Sequence, residues 1–182
     1  MQKAHLKKWV LGKQIEHINK GMPNEVILIA AVTVDGFVAR HDREVTTWSK
    51  DLRQFKEQTL GHPVVMGSNT YDTLAAELEG RRMIVIHRDD NPKEILNNIE
   101  DDRCFIIGGG KTYARFASFL THLYITPHPF IFGKGISLFD EEVSELKLDF
   151  QKIISVDEKN GIFQYQYKVL SSRKIIDQYF YC

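Results

Sequence analysis

Val26-Ile27-Leu28-Ile29-Ala30-Ala31-Val32 runs for seven residues without a polar side chain. A strand with one wet face alternates apolar and polar residues; an unbroken apolar run of this length reads instead as a central strand buried on both faces. Such a strand needs helices above and below it, and the flanking sequence supplies them. Pro63-Val64-Val65-Met66, Met83-Ile84-Val85-Ile86 and Cys104-Phe105-Ile106-Ile107 are three further runs of the same kind. Helical stretches follow or precede them at Asp51–Leu60, Asn69–Glu77, Pro92–Ile99 and Thr112–Leu120, and His122–Thr126 continues as strand. Leu146–Val156 and Phe163–Leu170 form a last pair, antiparallel across Glu158-Lys159-Asn160-Gly161. Strands alternating with helices predict an α/β fold, with a mostly parallel sheet and an antiparallel C-terminal edge. Asp35-Gly36 reads as a turn and His41–Lys50 as a polar loop.

Both ends extend past this core, giving three segments: 1–24, 25–170 and 171–182. Residues 3–20 read as a helix with Leu6, Trp9, Val10, Leu11, Ile15 and Ile18 on one broad face, stopped by Gly21-Met22-Pro23. The tail carries Ile175, Ile176, Tyr179 and Phe180. These apolar groups are expected to pack on the core, on each other or across a homodimer interface.

A chain of 182 residues fits one domain, and 43% apolar residues with 11 Phe, 7 Tyr and 2 Trp provide a core and argue against disorder. Lys+Arg and Asp+Glu balance at 24 each, so no net field favours nucleic acid or an anionic membrane. Cys104 and Cys182 cannot build a disulfide framework, which suits a reducing compartment. No apolar stretch approaches the ~20 residues that span a bilayer, and the N-terminus has no signal-type apolar region. The expectation is a cytoplasmic protein acting on a small molecule. There is no internal repeat.

Ligands of open α/β sheets collect at the carboxyl ends of the strands. Asp35-Gly36, Gly67-Ser68-Asn69-Thr70, His87-Arg88 and Gly108-Gly109-Gly110-Lys111-Thr112 all lie there. Three glycines between a strand and a helix let backbone N–H groups approach an anion; a tight turn alone needs one. Two familiar phosphate loops fail on this segment. A Walker A motif needs glycine where Phe105 stands, and the dinucleotide fingerprint needs Gly or Ala where Tyr113 stands. The seven histidines are dispersed without zinc spacing and read as surface or loop residues, and no metal site is expected. Asp51 opens a helix. It is either a cap or, with Phe55 one turn on, a carboxylate beside an apolar pocket, a setting suited to general-acid work. Trp48 would cover that pocket.

Taken in order, Val26–Asp35, Asp51-Leu52-Arg53-Gln54-Phe55-Lys56, Thr59-Leu60, Pro63–Tyr71, Gly80-Arg81, Ile107–Lys111 with Tyr113, and Leu123-Tyr124-Ile125-Thr126 resemble dihydrofolate reductase. The resemblance spans about residues 25–170. It implies the three-layer fold of that superfamily and NADPH as hydride donor. Pro129–Phe139, with Val34-Asp35-Gly36, resembles a second branch, the riboflavin-pathway reductase domain, which reduces a ribosylaminopyrimidine phosphate with the same cofactor. Thr46-Thr47-Trp48 replaces the Leu-Pro-Trp of typical dihydrofolate reductases, and Ser68 stands where many carry a base for the cofactor's 2′-phosphate.

The resemblance implies cofactor contacts from Ala31, Gly67, Ser68, Asn69, Thr70, His87, Arg88, Gly108, Gly109, Gly110, Lys111 and Thr112. It makes Asp51 the carboxylate that binds the pterin and promotes protonation of N5, with Thr126 as its hydrogen-bonding partner. Tyr113 becomes the aromatic beside the nicotinamide. Phe55, with Leu52, Ala31 and Ile107, walls the substrate, and Arg81 clamps the glutamate carboxylate. With Ser68 no base, Arg88 is the expected reader of the 2′-phosphate, ahead of Arg82 and Lys111. Three functions follow: a dihydrofolate reductase first, the pyrimidine ribosyl-phosphate reductase second, and a catalytically silent nucleotide-binding module third.

Overall fold

The apolar run lies in β1 (Glu25–Thr33), in the middle of a seven-stranded sheet. The structure, a computed structural model, describes residues 21–74 and 78–170. The helix expected over 3–20 and the C-terminal tail lie outside the described residues.

In chain order the elements are β1, β2 (Phe37–Ala39), α1 (Leu52–Thr59), β3 (Pro63–Gly67), α2 (Ser68–Leu74), β4 (Arg82–Ile86), α3 (Pro92–Asn97), β5 (Arg103–Ile106), α4 (Gly110–Phe116), β6 (His122–His128), β7 (Ile136–Ser137), β8 (Lys147–Asp157) and β9 (Ile162–Leu170). The sheet order is β4-β3-β5-β1-β6-β9-β8. The first five are parallel to their neighbours; β9 runs antiparallel to β6, and β8 antiparallel to β9. This is the α/β architecture with an antiparallel C-terminal edge expected from the sequence.

Alternation along β1 divides its side chains between two cores. Val26, Leu28, Ala30 and Val32 join Tyr113, Phe116 and Leu120 on one face. Ile27 and Ile29 join Val64, Met66, Phe105 and Ile107 on the other, against Phe55 of α1. Double-sided burial thus explains why the run is continuous. Cys104 is buried in the first core; burial pushes its thiol up to about 12, which makes it a packing residue with no thiolate chemistry near neutral pH. Among the described residues no helix is long and apolar enough to cross a membrane.

Element boundaries shift from expectation by small amounts. α2 begins one residue early at Ser68, and α4 starts at Gly110, inside the glycine loop, then tightens to a 3-10 turn over Ala117–Phe119. One element was not anticipated: β2 pairs with β7 as a two-stranded ribbon. Strands of three and two residues are too short to show a period. The ribbon is fastened by close backbone approach, since a Cβ on Gly135 would lie 2.2 Å from the Ala39 carbonyl oxygen. Asp35 secures the same loop, accepting from Thr33 Oγ1 at 2.6 Å and from the N–H groups of Phe132 and Gly133 at 3.2 and 2.8 Å. Those hydrogen bonds, Thr33 first, hold its carboxyl below the usual aspartate range.

Two outcomes follow. Gly135→Ala should lower stability by about 1–3 kcal/mol through overpacking, read as a drop in thermal midpoint. Glu25, opposite Arg103 in the β1–β5 register, is held below its ordinary value by the Arg103 hydrogen bond. A depressed carboxylate stabilises above its unfolded value, and that contribution vanishes as pH falls through the folded one. Glu25→Gln should therefore cost at most about 1 kcal/mol near neutral pH, since the pair is solvent-screened, and nothing measurable in strong acid.

Candidate functional site

The carboxyl ends of β1, β3, β4 and β5 open into a cavity of about 900 Å³. One wall is α1, which offers Asp51, Leu52, Phe55 and Lys56; the other is built from the turns after β3, β4 and β5. Of the site residues anticipated from the sequence, all but Thr126, Trp48 and Arg82 line this cavity.

Asp51 stands just before α1 and is only 5% exposed. It occupies the N-cap position of α1, but its side chain makes no capping bond to the helix. Its carboxylate accepts from the Ser49 hydroxyl instead. The expected Thr126–Asp51 bond is absent: Thr126 is fully buried, and its Oγ1 has no hydrogen-bond partner among the described residues. The reason is local. Ser49 is two residues from Asp51 in the same loop and reaches the carboxylate without crossing from β1's neighbour. Trp48 Nε1 is likewise buried, with no partner among the described residues. Buried polar atoms of this kind call for water or a ligand.

Arg81 closes the far end of the same wall. It is 8% exposed; Nε donates to Thr59 Oγ1 at 2.7 Å, and Nη1 and Nη2 reach the carbonyls of Glu79 and Lys56 at 3.3 and 3.5 Å. Its guanidinium carbon lies 5.5 Å from the Phe55 ring centroid. Thr59 in turn donates to the Phe55 carbonyl at 2.7 Å, so one hydroxyl ties helix and guanidinium together. In the sequence Thr59 stands out only as part of the resemblance, with no role of its own, and Ser49 not at all; small hydroxyls carry no periodic signal.

The opposite side is made of backbone. Gly67 N–H donates to the Gly108 carbonyl at 2.9 Å. A Cβ on Gly67 would meet Thr112 Oγ1 at 3.0 Å, and one on Gly108 would meet Thr70 Oγ1 at 3.3 Å. The Gly108–Gly109 peptide is cis. The Gly67–Gly108 bond and the two close threonines make a cradle that side chains would fill, a surface suited to a dinucleotide's phosphates. Above it, Tyr113 donates to the Ile29 carbonyl at 2.8 Å. Burial, with the Asp51 charge acting the same way, pushes its phenol well above the ordinary range.

Arg88 lines the cavity at the end of β4, and Lys111 lies on the rim of the glycine loop. Arg82 does not: it pairs with Asp101 at 2.7 Å, away from the cavity. Arg115, not foreseen, donates to the carbonyls of His87 and Asp90 and so braces the turn that carries Arg88. A second correction concerns the histidines. His128 is fully buried, not a surface or loop residue.

With this geometry in place, likeness to known proteins is informative. The dihydrofolate reductase family model matches residues 25–171. The chain belongs to the dihydrofolate reductase family. Membership makes it an NADPH-dependent oxidoreductase. Dihydrofolate reductase type 3 of Salmonella typhimurium is 32% identical over 115 residues, covering 56% of this chain and 70% of that protein. The Bacillus subtilis dihydrofolate reductase is 29% identical over 138 residues, covering 68% and 79%. In fold, the chain is similar to the Enterococcus faecalis dihydrofolate reductase complexed with NADP(H) and RAB-propyl (TM-score 0.65, 22% identity, 82% of this chain and 99% of that one). It is also similar to a diaminohydroxyphosphoribosylaminopyrimidine deaminase/5-amino-6-(5-phosphoribosylamino)uracil reductase from Thermotoga maritima (TM-score 0.68, 19% identity, 86% of this chain and 59% of that one).

For this reductase, Arg88→Ala should weaken NADPH more than NADH, because a guanidinium fork is the best partner for a phosphate. Titration of both cofactors checks it, and equal losses would remove Arg88 from that role.

Proposed function

We propose that the chain reduces 7,8-dihydrofolate to tetrahydrofolate. The observation that carries this reading is the order of groups along the α1 wall: a buried carboxylate at Asp51, an apolar stretch through Leu52 and Phe55, and the Thr59-held guanidinium of Arg81. Dihydrofolate has the complementary polarity. Its pterin presents N–H donors, its aminobenzoyl ring is apolar, and its tail ends in a carboxylate that a guanidinium fork grips with two bonds.

Bound NADPH supplies a hydride; the glycine cradle and Arg88 are the residues that would hold it. The protein's own part is alignment, exclusion of water and one proton. Asp51, acceptor-only when ionised, orients the pterin through its donors and promotes protonation at N5. Ala31 leaves room between the two ligands, and Tyr113 and Ile107 keep that junction apolar and dry.

A second reading, reduction of a pyrimidine ribosyl phosphate, is favoured by Pro129–Phe139 and its likeness to the riboflavin-pathway domain. Parallel NADPH-oxidation assays with the two substrates separate them, and inactivity with both would leave a silent binding module. Asp51→Asn should preserve folding and slow dihydrofolate reduction on the order of 10²-fold, with the smallest loss in acid, where solvent can supply the proton. Arg81→Ala should raise KM for dihydrofolate roughly tenfold or more with kcat less affected, because the clamp is remote from the hydride.

A further inference from the structure

Asp51 is delivered by an irregular loop, and what fixes that loop is a residue from another strand. His128, at the end of β6, is wholly buried. The Lys50 backbone N–H lies 2.9 Å from its Nε2, and its Nδ1 lies 2.9 Å from the Thr126 carbonyl oxygen. A peptide N–H can only donate, so Nε2 accepts; a carbonyl can only accept, so the ring proton sits on Nδ1. The imidazole therefore bridges the loop to β6 in a single tautomer. Its ring also packs edge-on against Trp48, with centroids 5.2 Å apart and planes at 89°. Trp48 is held on further sides by Phe130 and Phe132, at 6.1 and 5.4 Å.

Trp48, Ser49 and Asp51 are all buried, yet this stretch belongs to no strand or helix that would satisfy its backbone. The Lys50 side chain is exposed but its N–H bond is partly buried, and such an N–H without an acceptor is costly. His128 supplies the acceptor at Lys50, between Ser49, which donates to the carboxylate, and Asp51 itself. We infer that His128 is a positioning residue for the proposed reduction: through the Lys50 backbone and Trp48 it holds the Ser49–Asp51 pair against the substrate wall. This rests on the reading of Asp51 as the proton-assisting group.

The test uses the full chain with two replacements. His128→Phe keeps the ring and its edge contact with Trp48 but removes the acceptor; His128→Gln restores a carbonyl oxygen near the position of Nε2. His128→Phe should lower kcat for dihydrofolate about tenfold, leave NADPH affinity unchanged, and make the Lys50 amide exchange freely with solvent deuterium. His128→Gln should recover kcat to within about threefold and keep the amide protected. In an Asp51→Asn background, His128→Phe should cost less than about twofold, because both replacements disable one unit. Wild-type kcat in His128→Phe, or the same fold-loss with and without the Asp51 carboxylate, would overturn the inference. Should the Phe variant not fold, the Gln variant decides: an exposed Lys50 amide with undiminished kcat sinks the idea. A wild-type protein inactive on dihydrofolate would instead overturn the substrate reading, while Lys50 amide protection would still report the His128 contact.

Discussion

A strand with apolar side chains on both faces cannot border water, and that constraint on β1 organises the rest of the molecule. It requires a core above and a core below, hence crossovers that carry helices to both sides of the sheet, hence parallel neighbours on either side of it. Parallel strands bring all their carboxyl ends to one edge. There the chain must turn repeatedly from strand into helix, and those turns enclose the cavity. The site is thus a consequence of how the central strand is buried, since the same topology that covers Ile27 and Leu28 places Ala31 between the two halves of the cleft.

The halves are built from different materials. The cofactor side is backbone: Gly67 bonded to Gly108, with Thr70 and Thr112 occupying the space where glycine side chains would otherwise project. The α1 side is side chain: a carboxylate, a phenyl ring and a guanidinium arranged along two turns of helix. Asp51 and Arg81 are both buried, and each is bonded to a hydroxyl, Ser49 for Asp51 and Thr59 for Arg81. Burying a charge is expensive unless hydrogen bonds replace lost water. A hydroxyl does this with little bulk.

What could be read from sequence follows from range. The parallel strands and their helices were legible because apolar runs and strand–turn–helix punctuation are local signals, and the antiparallel edge was legible because Asn160-Gly161 marks its turn. The glycine loop, Asp51, Phe55 and Arg81 were legible because their residue types at those spacings resemble a known pattern. The β2–β7 ribbon was not, because its pairing depends on Gly135 passing beside Ala39, a contact nearly a hundred residues apart in the chain. Nor was the partner of Asp51. The resemblance pointed across the sheet to Thr126, whereas the loop here, with Thr46-Thr47-Trp48 and a short interval to Asp51, carries its own hydroxyl at Ser49. His128 escaped for a related reason: a lone histidine between two prolines has no period and no motif, and only the fold brings its Nε2 to the Lys50 amide.

This division of materials also explains why cofactor and substrate are not equally constrained by what the chain contains. The cradle is tight at two positions: a Cβ at Gly67 would crowd the Thr112 hydroxyl at 3.0 Å, and one at Gly108 the Thr70 hydroxyl at 3.3 Å. Its chemistry is consequently the same for whatever dinucleotide shares that phosphate geometry, which leaves discrimination between cofactors to peripheral charge, the role proposed for Arg88. The α1 wall has no such restriction. Leu52 is half exposed to the cavity, and nothing in the backbone requires it to be apolar. Exchanging one or two such side chains for polar ones would refit the wall to a hydroxyl-rich substrate without touching the fold, the cradle or the carboxylate. The apolar character of Leu52 and Phe55, set between Asp51 and Arg81, is for that reason the most discriminating feature of the site, and it is the feature that favours a pterin joined to a benzoyl ring.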